Sequence, residues 1–212
     1  MSFQNADGRV QPGILEGKAI VPIDAASLLD YIALTPNERS ARRAAYAPIP
    51  LESVTLAAPL RPSRNVFCVG RNYLEHAIEG ARAHGRELKL PDVPTFFTKA
   101  PTAITSPGAT VHLQASISPE YDFEAELAVV IGTRCKNVAE TDALSVIFGY
   151  TCFNDITARD VQRAHVQWFK GKSLDDSAPI GPWIVSADEL GDPHDLAIRF
   201  RLNGVEKQHS TT

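Results

Sequence analysis

The segment Tyr121-Asp122-Phe123-Glu124-Ala125-Glu126-Leu127-Ala128-Val129-Val130-Ile131 carries a carboxylate at every second position and then turns apolar. Side chains alternate along a strand, so Asp122, Glu124 and Glu126 would share one face at intervals of about 6–7 Å. Phe123, Ala125 and Leu127 would share the other. Like charges so spaced repel, and a cation between them would relieve the repulsion. Donors that are all carboxylates suit the hard ions Mg²⁺, Mn²⁺ or Ca²⁺ better than zinc. A solvated strand face has the same pattern, and the segment alone leaves both readings open.

Other residues could join this chemistry. Asp155 ends an apolar run and precedes a helical stretch, a place for either a functional carboxylate or a helix N-cap. Spacing alone favours the cap, which Thr157 could also supply. His76 and Glu79 lie three apart in a helical stretch over 72–80 and so share a face. A glutamate that orients an imidazole makes it a better base, although such a pair by itself reads as a surface ion pair. Gly171-Lys172-Ser173 looks like the end of a phosphate-binding loop, but Val166 stands where that motif needs glycine, which excludes a nucleotide site. Lys172 still lies between an aromatic helix end and an apolar run, where its ammonium could meet an anionic substrate. His84, His112, His165, His194 and His209 show no ligand spacing.

The elements that must position these groups are short strands with brief helices between them. A hairpin is expected around residues 14–23, a helix at 24–33, and a second helix from Thr35 toward Tyr46, opened by the capping box Thr35-Pro36-Asn37-Glu38. The breaker cluster at 58–63 reads as a domain boundary. Beyond it, strands are expected at 65–69, 95–99, 122–132, 150–153, 183–185 and 197–202, and helices at 139–148 and 158–168. Residues 80–94 read as a mobile excursion. Asn203-Gly204 is the strongest hairpin turn, with its returning strand barely begun before Thr212. The class is α+β, mostly β.

Composition limits the function. The 212 residues are 44% hydrophobic and 22% charged, which fits a folded domain and excludes general disorder. A net charge of −4 gives no pull toward nucleic acid. No apolar leader or run long enough for a membrane span is present. Cys68, Cys135 and Cys152 are too widely spaced for a disulfide framework or a zinc site, so a cytoplasmic protein with reduced thiols is expected.

Taken in order, several motifs resemble those of the fumarylacetoacetate hydrolase family. They are Gly-Arg-Asn-Tyr-x-x-His-x-x-Glu at 70–79, Phe-Phe-x-Lys at 96–99, Phe-Glu-x-Glu-Leu at 123–127, Asn-Asp-x-Thr-Ala-Arg-Asp-x-Gln at 154–162, and Gly-Lys-Ser with Pro-x-Gly-Pro-Trp at 171–183. The resemblance spans roughly 55–209 and is closest to bacterial members that hydrolyse acylpyruvate or fumarylpyruvate. It implies a small N-terminal α/β domain over 1–58 and a catalytic domain over 59–212, folded as a mixed β-sandwich roll and lacking the family's C-terminal part. It implies a divalent metal, Mg²⁺ or Mn²⁺ with Ca²⁺ as a third choice, on Glu124, Glu126 and Asp155, which sets the cap reading of Asp155 aside on family grounds. His76 and Glu79 become a water-activating dyad and Lys172 the active-site lysine. Arg71, Lys99, Arg159 and Gln162 line the site, and Asp122 matches no ligand position. Also implied are a homodimer and a small 2-oxo acid substrate, with neither nucleic acid nor membrane as partner. The implied reaction is metal-dependent C–C hydrolysis of a 2,4-dioxo acid to pyruvate and a carboxylic acid. Decarboxylation of oxaloacetate, or decarboxylation and isomerisation of a dienedioate in aromatic-acid breakdown, is the alternative. A non-catalytic metal-binding remnant is the alternative of another class.

Overall fold

A computed structural model describes residues 1–5, 7–42, 46–73, 78, 87 and 92–212. The expected 72–80 helix and 80–94 excursion, with His76 and Glu79, fall largely outside those residues.

The chain opens with β1 (Ser2–Gln4), β2 (Val10–Glu16) and β3 (Ala19–Pro22), followed by β4 (Ile49–Pro50) and β5 (Thr55–Ala57). These form one five-stranded sheet in the order β4-β3-β2-β1-β5. The expected hairpin is present, with Gly13 opposite Pro22 and Glu16 opposite Ala19. The first helix is shorter than expected, Leu28–Ile32, with Ser27 as its cap. The second, Pro36–Ala41, carries the capping box read from the sequence: Thr35 accepts from the Glu38 N–H, and Glu38 accepts from the Thr35 N–H. Met1, Phe3 and Ile20 form the core here, and Trp183 from far along the chain packs against it. Leu28 and Ile32 likewise pack against Val130, with Phe148 and Ile184 beside them, so apolar contacts cross the segment at 58–63.

Next come β6 (Val66–Gly70) and β7 (Thr95–Lys99), an antiparallel pair, and the short β8 (Ile104–Thr105). The expected strand over 122–132 is in fact two pieces, β9 (Tyr121–Asp122) and β10 (Ala125–Ile131). The chain breaks because Asp122 Oδ1 takes the neighbouring Phe123 N–H at 3.0 Å and Phe123 turns to stack on Phe200. A 3₁₀ segment, Glu140–Val146, leads into β11 (Ile147–Asn154). After β12 (Thr157–Ala158), the expected helix over 158–168 is confined to Arg159–Ala164, and a separate single turn spans Phe169–Lys172. β13 (Ala178–Ser186) completes a second sheet in the order β10-β11-β13-β8 around a core of Ala58, Ala103, Ile104, Phe153, Ala178 and Ile180.

The last hairpin is β14 (Ala197–Leu202) and β15 (Val205–Thr211), turned at Asn203 and Gly204 with φ of 51° and 80°. Its returning strand is a full seven residues, not the barely begun strand expected. The architecture is mostly β with brief helices. Among the described residues no helix is long and apolar enough to cross a membrane.

Candidate active site

Glu124 stands in the break between β9 and β10, and its backbone is fastened toward β11. Its N–H donates to Asn154 Oδ1 at 3.2 Å, and its carbonyl accepts from the Asp155 N–H at 2.8 Å. Asp155 follows the last residue of β11 and is 2% exposed. It is not a helix cap: Ala158 holds the N-cap position of the Arg159–Ala164 helix, with no side-chain cap bond. The preference that spacing gave to the cap is therefore corrected by the structure. The Asp155 carboxylate instead accepts from two lysines, with Oδ1 2.7 Å from Lys99 Nζ and Oδ2 2.8 Å from Lys172 Nζ.

Lys172 ends the Phe169–Lys172 turn and is 2% exposed. Its ammonium also lies 2.8 Å from Glu124 Oε2 and 4.9 Å from the centre of the Phe97 ring, whose edge meets Trp168. Gly171 makes this placement possible. A Cβ there would meet the Gln162 backbone nitrogen at 2.7 Å and the Ala158 carbonyl oxygen at 2.8 Å. The glycine beside the lysine thus serves the close approach of two short helices.

Arg159 opens its helix between two carboxylates, 2.6 Å from Glu124 Oε1 and 2.7 Å from Asp122 Oδ2. Asp122, which the sequence grouped with Glu124 and Glu126 on one strand face and which matches no ligand position of the family, anchors Arg159, and β12 pairs with β9 to bring them together. Gln162 Oε1 accepts from Arg159 at 3.2 Å, which leaves its amide N–H₂ as a donor. Lys99 is fully buried, donates also to the Ile156 carbonyl at 3.1 Å, and has its ammonium pushed below the ordinary value by burial, against the pull of Asp155. Arg71 is exposed just after β6, with φ of 57°.

Glu126, unlike Glu124 and Asp155, has no ammonium or guanidinium partner among the described residues. Burial first, and then the charge of Glu124, push it up to about 7, against hydrogen bonds from Tyr73 and Asn72. Tyr73 and Asn72 sit inside the Gly-Arg-Asn-Tyr motif, but nothing in their spacing marked them as partners of a carboxylate 53 positions on. Cys68, close by, is pushed up to about 12, chiefly by burial, and stays a thiol. Among the described residues no three His, Cys, Asp or Glu side chains are arranged to hold a metal ion as they stand. The Lys172 ammonium occupies the point between Glu124 and Asp155. A cavity of about 520 Å³ lies elsewhere, beside Ser2, Leu28, Pro59 and Pro107, and none of these charged groups lines it.

Residues 65–212 match the family described as fumarylacetoacetate (FAA) hydrolase C-terminal. The chain belongs to the fumarylacetoacetate hydrolase family. Oxaloacetate tautomerase YisK of Bacillus subtilis (strain 168) is 43% identical over 159 residues, which are 74% of this chain and 52% of that protein. The chain thus matches about half the length of this curated relative. A fumarylacetoacetate hydrolase from the psychrophile Exiguobacterium antarcticum superposes with a TM-score of 0.80 at 35% identity, covering 99% of this chain and 74% of that one. A maleylpyruvate hydrolase from Sphingobium sp. SYK-6, solved with manganese(II) and pyruvate, gives 0.76 at 29% identity, covering 100% of this chain and 76% of that one. The expected family and its mostly β fold are both found.

Proposed function

We propose that the chain interconverts the keto and enol forms of a 2-oxo dicarboxylic acid, with oxaloacetate as first choice, at a divalent cation held by Glu124, Glu126 and Asp155. One observation carries this reading. Glu124 and Asp155 converge on a single cationic point, each 2.8 Å from Lys172 Nζ, with the poorly compensated Glu126 beside them. Their donors are all carboxylate oxygens, which fits Mg²⁺ or Mn²⁺. When bound, such an ion supplies Lewis acidity to the substrate's 2-oxo carbonyl. Lys172 offers its ammonium to the oxygen on which negative charge develops. His76, supported by Glu79, takes the proton from C3 and returns it to the 2-oxo oxygen to give the enol. Among the described residues, the amide N–H₂ of Gln162 and the guanidinium of Arg71 can meet the substrate's carboxylates. The name of the Bacillus relative supports this choice of reaction.

C–C hydrolysis of a 2,4-dioxo acid, the reaction the sequence motifs imply, is the second reading. The manganese and pyruvate in the Sphingobium hydrolase favour it. Here His76 takes a proton from water, the hydroxide adds to the 4-carbonyl, the C3–C4 bond breaks with its electron pair leaving on the pyruvate enolate, and C3 takes up the proton to give pyruvate and a carboxylic acid. The test is to give the purified protein, with Mg²⁺ or Mn²⁺, enol-oxaloacetate and an acylpyruvate in parallel. Metal-dependent conversion of the enol that Lys172→Met abolishes supports the first reading. Cleavage of the acylpyruvate alone, reduced at least about a hundredfold by His76→Ala, replaces it with the second. Neither reaction at any metal concentration refutes both.

A further inference from the structure

The backbone between the two glutamates is held from an unexpected direction. The Ala125 N–H donates to Gln208 Oε1 at 2.8 Å, and Gln208 Nε2 donates back to the Ala125 carbonyl at 3.0 Å. The side-chain amide therefore acts as a peptide group of a missing neighbour strand. It does so on the outer edge of β10, the terminal strand of its sheet. Successive residues of a strand direct their backbone groups to opposite sides. Glu124 is accordingly tied toward β11, through Asn154 and Asp155, and Ala125 is tied away from it, through Gln208. The same rung of the last hairpin makes a second contact. Phe200 is the cross-strand partner of Gln208, and its ring stacks on Phe123 with centres 4.1 Å apart and planes 5° from parallel. One rung, Phe200 with Gln208, thus grips both neighbours of Glu124.

We propose that Gln208 is a positioning residue that sets the relative placement of the Glu124 and Glu126 carboxylates for a divalent cation. The inference rests on the metal reading above and adds to it a residue more than 80 positions away whose side chain would touch neither metal nor substrate. Its chemistry is specific, because only a planar group with one donor and one acceptor can meet both the N–H and the C=O of Ala125. Groups that orient ligands from behind characteristically govern metal affinity by about 10–100-fold.

The test is titration of the chain with Mn²⁺ alone, followed by the paramagnetic resonance of the free ion. Gln208→Met keeps length and volume but loses both hydrogen bonds, and should bind Mn²⁺ at least about tenfold more weakly than wild type. Gln208→Glu keeps the acceptor for the Ala125 N–H and loses the donor, and should fall between the two; it also carries the test if the Met variant does not fold. Thr35→Ala, which weakens the chain at a helix cap in the N-terminal part, should leave Mn²⁺ affinity unchanged and so separates lost positioning from lost stability. Wild-type affinity in Gln208→Met, or an equal loss in Thr35→Ala, overturns the proposal while leaving the metal reading intact. Absence of Mn²⁺ binding by the wild type overturns the metal reading and this inference with it.

Discussion

Glu126 gives the sharpest quantitative expectation. Without a cation its carboxyl lies at about 7 instead of its ordinary 4.5, because burial and the charge of Glu124 both oppose its ionisation. A group whose folded value is raised binds more protons in the folded than in the unfolded chain between those two values. Stability therefore falls as pH rises from about 4.5 and levels off above about 7. At about 1.36 kcal/mol per tenfold step, the whole displacement amounts to about 3 kcal/mol. Glu126→Gln replaces the carboxyl by a neutral amide of the same shape and removes this contribution. The metal-free variant should be more stable than wild type by about 2–3 kcal/mol at pH 8, with the difference vanishing near pH 4. Urea unfolding of chelator-treated protein across this range measures it, and the subtraction cancels the other titrating groups. The same substitution should weaken Mn²⁺ binding, so the residue stabilises the loaded protein while destabilising the empty one. Parallel stability curves for the two proteins, with no divergence above pH 5, would refute the electrostatic account.

Two further substitutions probe the frame around the carboxylates. Gly171→Ala drives a methyl against backbone atoms of Gln162 and Ala158 at 2.7 and 2.8 Å, which cannot rotate away. It should destabilise the protein by about 2 kcal/mol or more in urea unfolding, and a change within about 0.5 kcal/mol would contradict the close-approach role. Lys99→Met leaves the buried Asp155 with one lysine instead of two and the Ile156 carbonyl without its donor. A loss of about 3 kcal/mol is expected, and an unchanged unfolding midpoint would show that the buried pair contributes nothing net.

Local chemistry was legible wherever a residue type has one dominant conformational use. The Thr35–Glu38 box and the Asn203-Gly204 turn were read directly because cap and turn are decided within four residues. The carboxylate pattern at 122–126 was legible as a set but misplaced as a strand, since the break depends on Phe123 meeting Phe200, 77 positions away. Asp155 could not be separated from a cap by spacing, because a strand end before a helix presents the same residue types for either use. Only its burial between two ammonium groups distinguishes them. Gly171 was visible, and Val166 already excluded a phosphate loop, but the reason for the missing side chain, a helix backbone 2.7 Å from where Cβ would lie, is not local to the sequence. Gln208 gave no signal of this role, since an amide that completes a strand edge looks like any other glutamine until the edge is known.

The pairing of β10 with β11 runs from Ala125 opposite Asn154 at one end to Ile131 opposite Ile147 at the other. The acidic groups lie at the open end of this hairpin and its 132–146 connection at the closed end, six residues or about 20 Å along the strands. The two ends therefore answer to different kinds of genetic change. Adding or removing residues in the connection leaves the register untouched, so that loop can vary in length or accept an inserted tag while the acidic end keeps its geometry. A single-residue insertion inside β11 turns every following side chain to the opposite face and displaces Asp155 from the acidic cluster at once.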